Sequence, residues 1–293
     1  MANLRDIKRR ITSIQSTSQV TRTMEMVSTA KIRRAQDRIE HARPYALALA
    51  TMLGEVSRAS KKVTHPLLAE RIEKQVVTCI CIASDRGQAG AFNSNIVQMT
   101  EDYLRRQEEE GVKVRLITCG RKLGMYFQSR GIEPDLALEG TSGNPSFADA
   151  KVIADRIIRE YSAEETDEVV TIYNRFVNVA DQRPEIHILL PANDEDLAAV
   201  EDERGRDLNY IFEPSAKVVL QSLLPTYVEA LIFRALLESA ASEHGARRSA
   251  MKSATDNATE MIVALTRSYN RARQAAITTE ISEIVGGAAA LEG

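Results

Sequence analysis

From Leu4 to Arg43 the chain has neither Pro nor Gly, and its apolar residues recur at alternating steps of four and three. The series opens on Ile7, Ile11 and Ile14 and turns polar at Ser18, Thr21, Glu25 and Ser28. It becomes apolar again from Ile32 through Ile39, Leu49 and Leu53 to Val56. This spacing writes a narrow seam along a helix and predicts a heptad-like contact with a partner helix. Over the polar interval the apolar residues slip one place, to Val20, Met24 and Val27, which predicts a local change of winding. Pro44 inside the pattern predicts a bend rather than an end.

The carboxyl end carries a similar pattern. Steps of three and four from Met251 give Ala254, Ala258, Met261, Leu265, Ser268, Ala272, Ala275, Thr279, Ser282 and Gly286, with side chains shrinking towards the terminus. A second stripe, Ile277, Ile281 and Ile284, begins where the first becomes small, and the helical pattern runs back past Pro225 to Leu220. Residues 215–285 as one helix would extend about 105 Å, and residues 4–57 about 80 Å. Helices of ordinary domains average roughly 11–12 residues. Two this long at opposite ends of one chain predict an antiparallel coiled coil. Its seam of Ser, Thr, Ala and Gly buries little apolar area, so a partner is expected to enclose its far end.

Between residues 75 and 207 the period changes. Residues 75–83 (QVVTCICIA), 112–118, 168–177 and 184–190 read as strands, the last two as a hairpin. Residues 94–110, 121–130 and 147–161 read as helices. Alternating strands and helices predict a small, Rossmann-like α/β domain with a largely parallel sheet. The expected organisation is an amino-terminal coiled-coil helix (1–58), a linker (59–74), a central α/β domain (75–207) and a carboxyl-terminal coiled-coil helix (208–293).

Composition narrows the function. Of 293 residues 44% are hydrophobic and 27% charged, enough apolar material for a core, and no apolar run approaches the roughly 20 residues of a bilayer span. Aromatics make up 5% and Trp is absent, which speaks against a base-stacking nucleic-acid binder. The charged amino terminus is unlike a signal peptide, and a chain kept on the cytoplasmic side is expected. The net charge of −3 hides a segregation: residues 1–43 carry ten Lys/Arg against four Asp/Glu, and residues 75–213 carry 15 against 26. A basic arm and an acidic middle predict different environments.

Chemistry is sparse. Cys79 and Cys81 share one face of a strand, and with Cys119 they read as buried thiols. The four histidines have no metal-ligand spacing, and no catalytic set or cofactor motif emerges. Ser84 to Asn93 (SDRGQAGAFN) is a Gly-containing turn between a strand and a helix, the position where phosphate binds in nucleotide folds. It lacks the third Gly of a dinucleotide fingerprint and the Gly-Lys-Ser/Thr end of a P-loop.

The arrangement of long helix, α/β domain and long helix resembles the gamma subunit of F-type ATP synthase. Four segments carry the resemblance: residues 1–36, residues 84–95 (SDRGQAGAFNSN), residues 209–214 (NYIFEP) and residues 254–287. The chain departs from many members at Gln88-Ala89-Gly90-Ala91. The resemblance implies a non-catalytic rotor shaft standing inside a ring of alpha and beta subunits. Its foot would meet the c ring beside epsilon, on the cytoplasmic face of a bacterial membrane. It also implies that Met24, Arg267, Arg271, Arg273, Gln274 and Ile281 face the alpha/beta sleeve, and that Tyr210 and Glu213 lie at the foot. The competing reading of the residues is an α/β nucleotide-utilising enzyme with coiled-coil oligomerisation arms. It requires a ligand at the turn from Asp85 to Asn93.

Overall fold

The computed structural model describes residues 4–59, 65–192, 213 and 215–292. Helix α1 spans Leu4–Ala59 and helix α5 spans Ala216–Glu292, with Pro44 and Pro225 inside them. Between them lie β1 (Val76–Ile82), α2 (Phe92–Glu109), β2 (Lys113–Cys119), α3 (Arg121–Ser129), β3 (Leu136–Leu138), α4 (Phe147–Ser162), β4 (Glu168–Phe176) and β5 (Gln182–Leu190). A 3-10 turn, Pro66–Leu68, precedes β1. Neither this turn nor β3 is legible as a period, since each is three residues long.

The strands form one sheet in the order β3-β2-β1-β4-β5, with β5 alone antiparallel. Alternation along β1 divides the core. Val77, Cys79 and Cys81 point into one cluster with Phe92, Ile96, Leu123 and Phe127 of α2 and α3. Ile80 and Ile82 point into the other, with Ile153 and Ile157 of α4. The three cysteines are free and buried. Pro184 sits in β5 at the sheet's edge, where a missing N–H costs no ladder bond. Helix α4 starts on a capping box: Ser146 Oγ accepts from the Asp149 N–H, and the Asp149 carboxylate accepts from the Ser146 N–H.

The chain forms two compact units, residues 28–247 and residues 1–27 with 248–293. The larger takes in more than the expected 75–207. Leu49, Leu53 and Val56 of α1, and Leu220, Leu224, Val228 and Leu236 of α5, are buried in the same cluster as Ile80 and Ile82. The inner lengths of the terminal helices thus complete the core on one face of the sheet. In the smaller unit the two helices run antiparallel. Thr21 Oγ1 lies 2.7 Å from Thr255 Oγ1, while the earlier Arg10, Ser13 and Ile14 share a surface cavity with the later Met261, Ala264 and Leu265.

Burial corrects two details of the expected seam. The polar residues Ser18, Thr21, Glu25 and Ser28 stay inward with Met24 half-buried beside them, whereas Val20 (58% exposed) and Val27 (49%) face out. The Thr21–Thr255 hydroxyl pair occupies the seam that the apolar slip was expected to fill. On α5 the inward positions are Met251, Ala254, Thr255, Ala258, Ile262, Leu265, Tyr269, Ala272 and Ala276. The expected series holds through Ala254 and Ala258 and departs at the next step, where Met261 and later Ser268 turn outward and the larger Ile262 and Tyr269 turn in. Composition needs a correction as well. Within Ala216–Ala288 an 18-residue window reaches a mean hydropathy of 1.3, long and apolar enough to cross a membrane by length and composition. A third of that window is buried in the protein.

Candidate partner-binding surface

The turn Ser84–Asn93 leaves the carboxyl end of β1, which lies between β2 and β4. This is the point where the strand order reverses and where open α/β sheets bind ligands. Here the chain fills it with its own anion. Asp85 Oδ1 accepts from the backbone N–H of Arg121 (3.0 Å) and Gly140 (2.9 Å), and Oδ2 accepts from that of Ser142 (3.1 Å). Burial pushes the Asp85 carboxyl up, but these three donors and the Ser142 hydroxyl outweigh it and hold its pKa below the ordinary value. Asn93 Oδ1 accepts from the Ser84 N–H at 3.0 Å, closing the turn on itself. Gly120 is required beside it: at φ +103° a Cβ would lie 2.3 Å from the Ala83 carbonyl oxygen. The backbone donors that converge here from Arg121, Gly140 and Ser142 are taken by Asp85, which ties the turn to the neighbouring loops as a structural joint.

A polar cluster on α5 braces that joint, and periodicity alone does not single it out. Arg247 donates to the Gly87 carbonyl at 3.2 Å and pairs with Glu243 at 2.7 Å, both side chains being largely buried. His244 Nε2 lies 3.4 Å from the Gly143 carbonyl. Burial is the main influence on His244 and lowers its pKa; Arg247 and Lys31 act in the same direction, and Glu243 opposes. A signal was present in the sequence: Glu243, His244 and Arg247 interrupt an otherwise apolar and small-residue stretch of the helix.

The outward faces of the smaller unit carry most of the residues singled out in the sequence. Arg267, Arg271, Gln274 and Ile281 follow one another at steps of four, three and seven, so they share one exposed stripe of α5. Arg273 falls on a different stripe, with the exposed Ile277 and Ile284. Met24 is half-buried on α1 between the outward Val20 and Val27. Counting out from the Thr21–Thr255 pair, Leu4 comes level with Ala272, so α5 continues past the first described residue of α1. There Ile277, Ile281, Ile284 and Val285 are all exposed. Glu213 is exposed, and Tyr210 lies outside the described residues. Among the described residues no group of three or more His, Cys, Asp or Glu could hold a metal ion.

A helix pair with apolar and basic outer stripes, joined in sequence to an α/β unit whose switch point is braced by its own Asp85, defines a stalk component. The family model described as ATP synthase matches residues 3–291. The ATP synthase gamma chains of Pelotomaculum thermopropionicum and Desulforamulus reducens are 49% and 47% identical to this chain, each with full coverage of both sequences. Among solved structures, a chain of the Tetrahymena thermophila mitochondrial ATP synthase central stalk and c ring matches with a TM-score of 0.61 at 25% identity, covering 80% of this chain and 99% of that one. A chain of the Euglena gracilis mitochondrial ATP synthase matches in fold with a TM-score of 0.66 at 20% identity, covering 98% and 94%. The chain belongs to the ATP synthase gamma chain family.

Proposed function

We propose that this chain is the shaft through which rotation of a membrane ring of c subunits drives the nucleotide sites of the beta subunits. The observation that carries this reading is the far length of α5. Its Ile277, Ile281, Ile284 and Val285 stand exposed where no described residue of α1 reaches. Full burial of each such side chain stabilises by roughly 1.5–3 kcal/mol, so a sleeve built by other chains is the economical cover.

In this reading Met24, Arg267, Arg271, Arg273, Gln274 and Ile281 meet the alpha and beta subunits. Tyr210 and Glu213 meet the c ring and epsilon, and the membrane is reached only through that ring, on the cytoplasmic face of a bacterial cell. The seam of the helix pair is narrow and partly polar at Thr21, Glu25 and Thr255. A shaft held in its sleeve by exchangeable contacts can turn, whereas deep interlocking would favour one angle. Basic side chains on the outer stripe suit acidic partner surfaces that are met in succession.

The test is reconstitution of alpha and beta subunits, epsilon and membrane-embedded c ring with this chain, either whole or ending after Ala276. ATP-driven proton pumping is expected with the whole chain. With the shortened one, pumping per ATP hydrolysed should fall several-fold. Equal coupling by both would overturn the assignment of the far length as a sleeve contact, and ATP hydrolysis by the purified chain alone would overturn the reading as a whole.

A further inference from the structure

Neither the turn nor the outer stripes use the cavity that lies within the larger unit, between α1, α5 and the β4–β5 hairpin. It encloses about 750 Å³, inside the roughly 300–1,000 Å³ typical of small-molecule sites. Ala42, Ala46 and Ala50, one helical turn apart on α1, line it together with Ala230 of α5. Methyl groups at these positions leave the room that longer side chains would close. Phe147, Phe176 and Phe233 add aromatic surface, with Phe147 and Phe233 edge to face at 5.5 Å between centroids.

The charged lining is unequal. Three guanidinium groups, Arg43, Arg175 and Arg234, meet one carboxylate, Glu238. Glu238 is 6% exposed; its Oε1 accepts from Arg234 Nε at 2.8 Å, while its Oε2 is buried without a hydrogen-bond partner among the described residues. Arg175 approaches Glu185 at 3.6 Å and remains about half-exposed. Arg43 is exposed and makes no hydrogen bond or ion pair among the described residues.

We propose that this cavity binds an amphipathic organic anion. Its flat or aliphatic body would lie among the alanine methyls and phenyl rings, and its phosphate would be held by Arg43 and Arg175. Guanidinium groups suit this task because their fork of N–H donors matches two oxygens at once. Nucleoside phosphates and single-chain lipid phosphates share this chemistry.

Calorimetric titration of the full chain with ADP, and separately with a lysophosphatidate below its micelle concentration, separates the two sources. Saturable one-site binding of either ligand is expected. It should be abolished by Ala46→Trp, which fills the cavity, and weakened about tenfold or more by Arg43→Gln with Arg175→Gln. The arginine pair lies at the exposed rim, so that double variant keeps the test open should Ala46→Trp fail to fold, and circular dichroism verifies each fold. Saturation by neither ligand up to ~5 mM, or unchanged binding by a folded Ala46→Trp chain, overturns the proposal.

Discussion

Helix α5 is one element living under two regimes. From Ile232 to His244 nearly every side chain is buried or half-buried against the sheet unit, while from Arg273 to Ala288 nearly all are exposed. The backbone geometry is the same, so propensity does not separate the two lengths. What differs is the source of stability: packing against a core in the first, and in the second only local hydrogen bonds, which leave isolated helices marginal in water. Substitutions in the inner length should therefore be read as folding defects, and those in the outer length as assembly defects.

The sharpest contrast comes from charge. Glu243→Ala strands Arg247 in a buried setting and should destabilise the larger unit by about 3–5 kcal/mol, measurable in urea unfolding. A loss below about 1 kcal/mol would mean that the pair behaves as a solvated one. Leu224→Ala, at a fully buried position, should cost about 2–5 kcal/mol. Met261→Ala, on the outer face, should stay within about 0.5 kcal/mol. Equal losses for these two would erase the distinction between the regimes.

Acid adds a milder probe. His244 is held below its ordinary pKa of 6.5 by burial, so the unfolded chain takes up its proton first as pH falls. Stability should be full above pH 6.5 and decline below it, levelling once the folded state also protonates. The same titration on His244→Gln should lack this component, and an identical slope in both would show that other groups govern it. The smallest effect is expected at Ile281→Ala: no resolvable change in the melting midpoint of the isolated chain, yet weaker coupling after reconstitution. A large shift in that midpoint would show that the exposed stripe is packed in the free protein.

Strong periods carried most of the fold into view. The strands at Gln75, Val112 and Glu168 and the inward series of α1 follow from alternation and from steps of four and three. The phase of α5 was harder to read, because Met261 and Ile262 are adjacent candidates of similar character. Contact with α1 decided between them, and contact is a property of two helices together. Similarly, nothing in the string SDRGQAG says that Asp85 will collect donors from Arg121, Gly140 and Ser142. Those residues lie 36 to 57 positions away and reach it only once β1 and β2 are paired. The exposed stripe at Arg267, Arg271 and Gln274 was legible as residues, whereas its separation from Arg273 needed the helix phase.

That carboxylate also changes how the sheet unit responds to its surroundings. A site that waits for a free ligand is stabilised in proportion to the logarithm of that ligand's concentration. A group tethered three residues beyond β1 has an effective concentration that dilution cannot lower. The bonds to Arg121, Gly140 and Ser142 therefore form without a free anion, and the turn's own cohesion does not depend on how much phosphate surrounds it.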